Sequence, residues 1–240
     1  MNNINEIIIW GGGNSIKEGL SLGLKDKLKD KFVITTNFSY NHFTGTFLCF
    51  TDYADFYIKE NKKLESLPMI IGIDNCIGHT VDFPNTIWLK ESASYNIDIL
   101  NKGVYRGSLT GIFALSLAQW LLNYNGKIFL LGFDWSISQD QQKLKKHEKS
   151  YDPKIETHYY SDKEIPHRGH HFIGYFSYHN PDFYFKHFKE PNIKIYNVSP
   201  NSNILNFERI SYEQMFTLLN KEIHNQEELR QSIKNKLGGK

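Results

Sequence analysis

A glycine-rich turn near the amino terminus is suited to binding an anionic ligand. Its residues are Gly11, Gly12, Gly13, Asn14 and Ser15, and they separate an apolar run from a helical pattern. Glycines let the backbone approach an anion, and the start of a helix offers unpaired N–H groups and a partial positive charge. The spacing matches neither the P-loop nor the full G-x-G-x-x-G pattern. The turn therefore predicts a phosphate site, with an ordinary strand–helix connection as the alternative.

Polar residues follow most of the other predicted strands. Ligands of open parallel sheets bind beyond the carboxyl ends of the strands, so these positions are candidate binding residues. Asn and Ser suit ribose hydroxyls and base edges, and Asp52 or Asp134 could hold Mg²⁺. The alternative is that the same residue types cap helices. The candidates are Asn37, Asp52, Ser108, Thr110, Asp134, Asn201 and Ser202, with Thr36, Thr51, Gly107 and Ser199 beside them.

Histidines are concentrated around one polar segment, 136–180. Seven of the ten histidines lie between His147 and His187. A loop this long inside a compact domain is usually a functional lid or a disordered insertion, and we expect a lid that excludes water. The alternative for each histidine is a solvated surface residue or an adventitious metal ligand. The spacing of His167, His170 and His171 does not predict a structural zinc site, because no cysteine accompanies it.

Short apolar runs alternate with helical patterns along the rest of the chain. Strand, helix, strand in this order predicts a mostly parallel sheet flanked by helices, an α/β fold of the Rossmann-like kind. We expect a nucleotide-binding domain formed by 1–135 and 181–240, with the lid 136–180 inserted after the central strand. Predicted strands occupy 6–10, 32–36, 46–50, 69–73, 86–89, 127–132 and 194–198, and predicted helices occupy 17–29, 108–122, 212–219 and 226–236.

Two of the predicted helices carry further expectations. Ser108 is a good N-cap for the helix at 108–122, whose broad apolar stripe places it in the middle of the fold. The helix at 226–236 is polar apart from Leu229, Ile233 and the following Leu237. That pattern predicts a partner-binding or frayed tail.

Composition and charge exclude several classes of function. A formal net charge of +2 argues against a protein that coats a polyanion. Two cysteines, Cys49 and Cys76, do not make a disulfide framework in 240 residues, and both adjoin apolar runs where a buried thiol is expected. The sequence shows no signal peptide, and no apolar run reaches the roughly 18 residues of a spanning helix. We therefore expect a cytoplasmic protein with no membrane span.

Six short motifs, taken in order and at their intervals, resemble a superfamily of Rossmann-like transferases. It includes the bacterial sialyltransferases of glycosyltransferase family 42, the flagellar motility accessory factors and the archaeal 6-hydroxymethylpterin pyrophosphokinases. The similarity spans residues 6–135 and 170–210. The motifs are GGGNSIK at 11–17, TNF at 36–38, FTD at 50–52, GSLTG at 107–111, LLGFD at 130–134 and YNVSPNSN at 196–203.

The resemblance implies roles for the matching residues of the first two motifs. Gly11, Gly12, Gly13 and Ser15 would cradle the nucleotide phosphate. Asn37 would lie near the ribose or the donor group. The lid after the central strand would correspond to the segment that folds over the donor in the sialyltransferases.

It also implies roles for residues of the later motifs. Thr110 and Gly111 would contact the nucleotide from the central helix, while Asn201 and Ser202 would face the base. Asp52 stands where the sialyltransferases have an asparagine. The accessory-factor and pterin-kinase branches are similar to this chain in having T-D there, which implies a metal ion, Mg²⁺.

The main departure from the sialyltransferases concerns the catalytic histidine. Those enzymes carry an H-x-I-G-H segment, and the equivalent here is HFIGY at 171–175, so Tyr175 replaces the second histidine. Either another histidine, His158, His170 or His171, serves as the base, or the chemistry differs. Some superfamily members, including ones in phage genomes, resemble this chain in following G-F-D with a T-H-aromatic segment, here THYYSD at 157–162. His158 is accordingly the first candidate for a lid residue that does chemistry.

Any such transferase must neutralise the leaving phosphate and accept a proton from the acceptor hydroxyl. Arg106, just before the central helix, is a candidate for the first task, beside Mg²⁺ at Asp52 and the phenols of the lid. A histidine suits the second task at neutral pH, with Asp162 or Asp134 able to orient it.

Three functions follow from the resemblance. The preferred one is glycosyl transfer from a CMP-linked sugar to a hydroxyl of a glycan or small molecule, favoured by the large lid and the turn at 200–202. The second is Mg²⁺-dependent diphosphate transfer from ATP to a small hydroxymethyl compound, favoured by Asp52 and Tyr175. The third is a non-catalytic nucleotide-binding phage accessory protein. The acceptor and the oligomeric state, homo-oligomers included, stay open.

Overall fold

A central parallel sheet and its covering helices make up the part of the chain that the computed structural model describes, residues 4–51, 61–74, 83–105, 109–135 and 181–238. The strands are β1 Glu6–Trp10, β2 Val33–Thr36, β3 Phe47–Cys49, β4 Ile70–Ile73, β5 Thr86–Leu89, β6 Glu91–Ser92, β7 Val104–Tyr105, β8 Gly126–Leu131, β9 Ile193–Val198 and β10 Glu208–Arg209. The α-helices are α1 Ile16–Ser21, α2 Leu24–Leu28, α3 Asn61–Glu65, α4 Ile99–Lys102, α5 Thr110–Leu121, α6 Pro181–Phe185, α7 Tyr212–Leu218 and α8 Gln226–Lys236.

Eight of these strands form one sheet in the order β10-β9-β8-β1-β2-β3-β4-β5. Every pairing in it is parallel, and β6 and β7 form a separate two-stranded parallel sheet. The chain winds outwards from β1 through β2 to β5 and then returns to the other side of β1 with β8. The predicted Rossmann-like α/β class is confirmed, and the strand order reverses between β1 and β8, the topological switch point of such a sheet.

Hydrophobic layers cover both faces of the sheet. Alternate residues of β1 point to opposite faces, as strand geometry requires, and all five residues of the strand are buried. Ile7 and Ile9 pack with apolar residues of α5, α6 and α8, whereas Ile8 and Trp10 pack with those of α1, α2 and α7. The result is a three-layer fold, and residues beyond Trp10 emerge at the carboxyl edge of its central strand. The Cys49 thiol is buried in the first layer, as expected, and burial raises its pKa.

The predicted helix at 17–29 is two short helices. Gly23 has a φ of 79°, in the left-handed region, and ends the regular turn between α1 and α2. Leu24 and Leu28 are nevertheless buried, so the apolar period that predicted one helix continues through the break. The spacing of apolar residues therefore predicted the buried face correctly but did not predict the break at Gly23.

The central helix α5 begins at Thr110, and Leu109 occupies its N-cap without a side-chain hydrogen bond. Ser108, the predicted cap, lies outside the described residues. Ten of the twelve residues of α5 are buried, more than a single apolar stripe predicts. The buried residues of α5 belong to an apolar layer that also includes residues of the sheet, α6 and α8, so more than one side of the helix is covered.

The prediction of a partner-binding or frayed tail is wrong for α8. Leu229, Ile233 and Leu237 are buried in the same apolar layer as α5. Lys236 Nζ donates to Trp120 O at 2.8 Å and to Leu121 O at 3.1 Å, and its ammonium lies 4.4 Å from the centre of the Trp120 ring. Three apolar positions in an otherwise polar helix are sufficient to dock it on its own domain.

The predicted lid, 136–180, lies outside the described residues. Within the part of the chain that is described, no helix combines the length and the apolar character needed to cross a membrane.

Candidate functional site

A tight turn after β8 brings Asp134 back toward the end of β1. Gly132 and Trp135 have φ values of 68° and 44°, both in the left-handed region. A β-carbon at Gly132 would lie 2.8 Å from the Gly13 nitrogen, so glycine is required there both for conformation and for space. Trp135 carries a β-carbon, so its left-handed backbone is strained. Its ring packs against Tyr184 and Phe185. The turn is thereby fixed with the Asp134 side chain directed at the switch point.

The Asp134 carboxylate joins the carboxyl ends of three strands. Oδ2 accepts from Ser15 N at 2.8 Å, and Oδ1 accepts from Ser15 Oγ and, at 2.8 Å, from Ser199 Oγ. Ser15 follows β1 and Ser199 follows β9, on either side of β8. Asp134 is 8% exposed, and no ion pair joins it to a basic side chain of the described residues.

Main-chain amides of the glycine turn bond to the chain itself. Gly11 N donates to Leu131 O at 2.8 Å, and Gly13 N donates to Gly132 O at 2.9 Å. A β-carbon at Gly13 would lie 2.6 Å from both Asp134 Cγ and Gly132 O. The close approach that the glycines permit is therefore to the turn after β8.

This geometry bears on the predicted phosphate cradle, which stays a prediction. The amides of Gly11, Gly13 and Ser15 are engaged by carbonyls or by the Asp134 carboxylate, so in this conformation they are not available to a ligand phosphate. The alternative interpretation, a tightly packed strand–helix connection, describes these three amides better. Contact of Gly12, Gly13, Asn14 or Ser15 with a nucleotide through other atoms stays a prediction.

A second polar cluster lies at the ends of β2 and β3 and at the start of α5. Thr110 Oγ1 donates to Asn37 Oδ1 at 2.9 Å and lies 2.8 Å from Thr51 Oγ1. Asn37 has a φ of 48°, a conformation that asparagine tolerates better than most residues. The structure thus brings together the predicted residues Asn37 and Thr110 and the strand-end residue Thr51.

The two clusters are neighbours. Ser39 Oγ, just after β2, donates to Gly11 O at 3.0 Å. The Phe133 ring lies between the glycine turn and α5, since β-carbons at Gly11 and Gly111 would lie 3.2 Å and 2.9 Å from it. Gly111 therefore makes room for this ring, and its predicted contact with the nucleotide stays untested.

The Ser202 hydroxyl is engaged within the chain. The residue is 1% exposed, its Oγ donates to Phe133 O at 2.7 Å, and the same oxygen accepts from Ile204 N at 3.1 Å. These bonds serve the turns after β8 and β9, and contact of Ser202 with the base stays a prediction. Asn201 is exposed, and its role stays a prediction.

Several candidates lie outside the described residues. They comprise the predicted catalytic residues and three of the predicted binding residues. Among the described residues no cluster of metal-ligating side chains occurs. The residues without a described placement are Arg106, His158, Asp162, His171 and Tyr175, together with Asp52, Gly107 and Ser108.

Two residues of the site were not predicted from the sequence. Phe133 reads as an ordinary apolar residue, and Asn197, inside the last strand, donates through Nδ2 to Phe133 O at 3.1 Å. The signal for Asn197 was its position: an amide in the middle of a buried strand needs a hydrogen-bond partner.

Comparison of the chain with protein-family models, curated proteins and solved structures found no match. The fold and the site define an α/β protein of Rossmann-like topology with a polar cluster at its switch point. The likeness to the transferase superfamily is carried by sequence motifs alone.

Proposed function

We propose that this protein is a transferase that uses a nucleotide-activated donor. Glycosyl transfer from a CMP-linked sugar to a hydroxyl acceptor is the preferred reaction. The observation that supports the proposal is the meeting of polar side chains from five strand ends at and beside the switch point, where Rossmann-like proteins bind nucleotides.

The chemistry of the two clusters suits the uncharged parts of a nucleotide. Hydroxyl and amide groups such as those of Thr51, Thr110 and Asn37 match ribose hydroxyls and base edges. They are already ordered by hydrogen bonds to each other, which lowers the entropy cost of binding.

Glycosyl transfer also requires charge neutralisation at the leaving phosphate. Since the amides of Gly11, Gly13 and Ser15 are engaged, the proposal gives this task to Arg106 and to the lid. His158 is the proposed base.

A second candidate is Mg²⁺-dependent diphosphate transfer from ATP. The 2.8 Å contact between Thr51 Oγ1 and Thr110 Oγ1 favours this candidate. Thr51 belongs to the cluster, and Asp52 is the next residue in the sequence. A carboxylate beside bound phosphates is the usual way that proteins hold Mg²⁺.

Thermal unfolding with CMP, UDP, GDP or ATP, each with and without Mg²⁺, tests the proposal. A ligand at 100 times its Kd adds about 2.7 kcal/mol of stability. Stabilisation by CMP without metal supports glycosyl transfer, and Mg²⁺-dependent stabilisation by ATP supports diphosphate transfer. Absence of stabilisation by all four nucleotides contradicts both.

A matched pair of threonine variants tests the location of the site. Thr110→Val keeps the side-chain shape and removes both hydrogen bonds of the cluster, so we expect affinity for the stabilising nucleotide to fall about tenfold. Thr86→Val is the control, because the buried hydroxyl of Thr86 on β5 has no hydrogen-bond partner among the described residues. Equal affinities in the two variants would place the site elsewhere.

Replacement of His158 tests catalysis. With a donor that binds, His158→Ala should abolish most turnover while leaving donor affinity intact. Turnover within a few-fold of wild type would remove His158 as the base. Donor binding without turnover by the wild-type protein, across glycan and small-molecule acceptors, would favour the non-catalytic alternative.

A further inference from the structure

The switch point carries a carboxylate, that of Asp134, which the described residues hold by hydrogen bonds without an ion pair. Asp134 accepts three hydrogen bonds, all from neutral donors: one main-chain amide and two serine hydroxyls. Among the described residues it makes no ion pair. An ionised carboxylate has about four acceptor positions, so one on Oδ2 is left by these three bonds.

The remaining acceptor position and the charge select between ligand groups. A hydroxyl can donate to Oδ2, whereas a phosphate oxygen has no proton to donate and carries the same sign of charge. Repulsion between like charges is strong where water is largely excluded, and Asp134 is 8% exposed. Three of the main-chain amides that could attract a phosphate here, those of Gly11, Gly13 and Ser15, are already engaged.

We infer that Asp134 is a specificity-determining residue, which accepts a hydroxyl of the nucleoside or sugar part of the ligand and keeps phosphate away from the glycine turn. This inference rests on the proposed function. It deepens that function by orienting the ligand: the uncharged part lies at the switch point, and the phosphate points away from β1.

Two variants separate the charge of Asp134 from its hydrogen bonds. Asp134→Asn removes the charge and can keep the bonds, because its carbonyl oxygen can accept from Ser15 N while its amide donates to the two hydroxyls. Ser199→Ala removes one hydrogen bond and keeps the charge. Asp134→Ser provides a second neutral side chain should the first variant fail to fold, and thermal unfolding checks all three.

The measurement is calorimetric binding of a nucleoside and of its 5′-monophosphate in EDTA, repeated for the monophosphate with Mg²⁺. Cytidine and CMP are used, with adenosine and AMP as a second pair. In Asp134→Asn we expect the ratio of the nucleoside Kd to the monophosphate Kd to rise about tenfold, because repulsion of the phosphate is relieved, whereas loss of the charged acceptor weakens both ligands alike. In Ser199→Ala the ratio should stay at the wild-type value.

Other outcomes overturn the inference in recognisable ways. An unchanged ratio in both neutral variants, or an equal change in Ser199→Ala, means that the charge does not discriminate. If CMP or AMP binds only with Mg²⁺ and Asp134→Asn abolishes that binding, Asp134 is a metal ligand instead. If the wild-type protein binds neither pair, the preferred CMP-sugar reaction fails along with the inference, whereas an unchanged ratio with normal wild-type binding defeats the inference alone.

Discussion

A buried carboxylate is bound differently at the two ends of the parallel strands: the amino edge, where the strands begin, and the carboxyl edge, where they end. At the amino edge, Glu6 is 5% exposed and its Oε2 lies 3.1 Å from Lys127 Nζ. At the carboxyl edge, Asp134 is almost as buried but is held by neutral donors. Glu6 thus has an ion-pair partner, whereas Asp134 has none among the described residues. This difference supports the proposal that the carboxyl edge is the one that binds a ligand.

At the amino edge, three lysine side chains donate hydrogen bonds to main-chain carbonyls. Lys127 Nζ donates to Leu218 O at 2.7 Å, Lys31 Nζ donates to Asn220 O at 2.5 Å, and Lys236 Nζ donates to Trp120 O at 2.8 Å. These carbonyls lie at or just beyond the ends of α5 and α7, where the helix dipole is negative. The amino edge is therefore closed by contacts within the chain.

Replacement of Gly13 by alanine should have the largest effect on stability. The added β-carbon would lie 2.6 Å from Asp134 Cγ and from Gly132 O, so the turn after β8 must move. We expect a loss of about 3 kcal/mol in the free energy of unfolding, measured by urea denaturation. Gly23→Ala is the control: it has open space but a left-handed backbone, and should cost about 1 kcal/mol. Equal losses would show that the carboxyl edge is more loosely packed than its distances indicate.

Neutral variants of the two carboxylates compare the edges directly. Glu6→Gln leaves the Lys127 ammonium without its partner and should cost about 2 kcal/mol. Asp134→Asn removes a charge that has no opposite partner among the described residues, and relief of its desolvation offsets the weaker hydrogen bonds. We expect its cost to stay within about 1 kcal/mol. A larger loss for Asp134→Asn than for Glu6→Gln, in urea denaturation at pH 7, would reverse the comparison.

Most of the fold could be predicted because the strands are short, continuous apolar runs. The bounds of β1, β5 and α8 agree with the sequence predictions. The docking of α8 could not be predicted, because three apolar residues in a polar helix do not reveal which surface they cover. The break at Gly23 was missed because burial continues on both sides of it.

The candidate site could be predicted in its position but not in its contacts. The rule that ligands bind at strand ends selected Ser15, Asn37, Thr110 and Asp134, and the structure groups them at one edge. Ser15 and Asp134 are 119 positions apart, and their hydrogen bonds engage the Ser15 amide that is predicted to bind a phosphate. Such a contact depends on tertiary geometry and cannot be predicted from the residue types of a turn.

Loss of the Lys236 ammonium should have a moderate effect at the amino edge. Lys236→Met keeps much of the apolar stem but removes donors to Trp120 O, Leu121 O and, at 2.6 Å, Asn123 Oδ1. We expect a loss of about 1.5 kcal/mol in urea denaturation. Lys234→Met is the matched control, two residues earlier on α8, with no hydrogen bond from its ammonium to the described residues. Equal effects of the two variants would mean that net charge, and not docking of α8, is responsible.

Alkaline pH should weaken the amino edge by a smaller amount through Tyr124. Burial, followed by the negative charges of Glu190 and Asp98, raises the pKa of Tyr124 to about 12. A pKa raised above the unfolded value of about 10 contributes its full stability below pH 10 and loses it as the pH rises toward 12. Tyr124→Phe also loses the hydrogen bond to Ile97 O, so at pH 8 it should be less stable than wild type by about 1 kcal/mol. Because phenylalanine does not titrate, that gap in urea midpoint should narrow at pH 11. A gap of constant size would contradict titration of Tyr124 and leave the alkaline response to other groups.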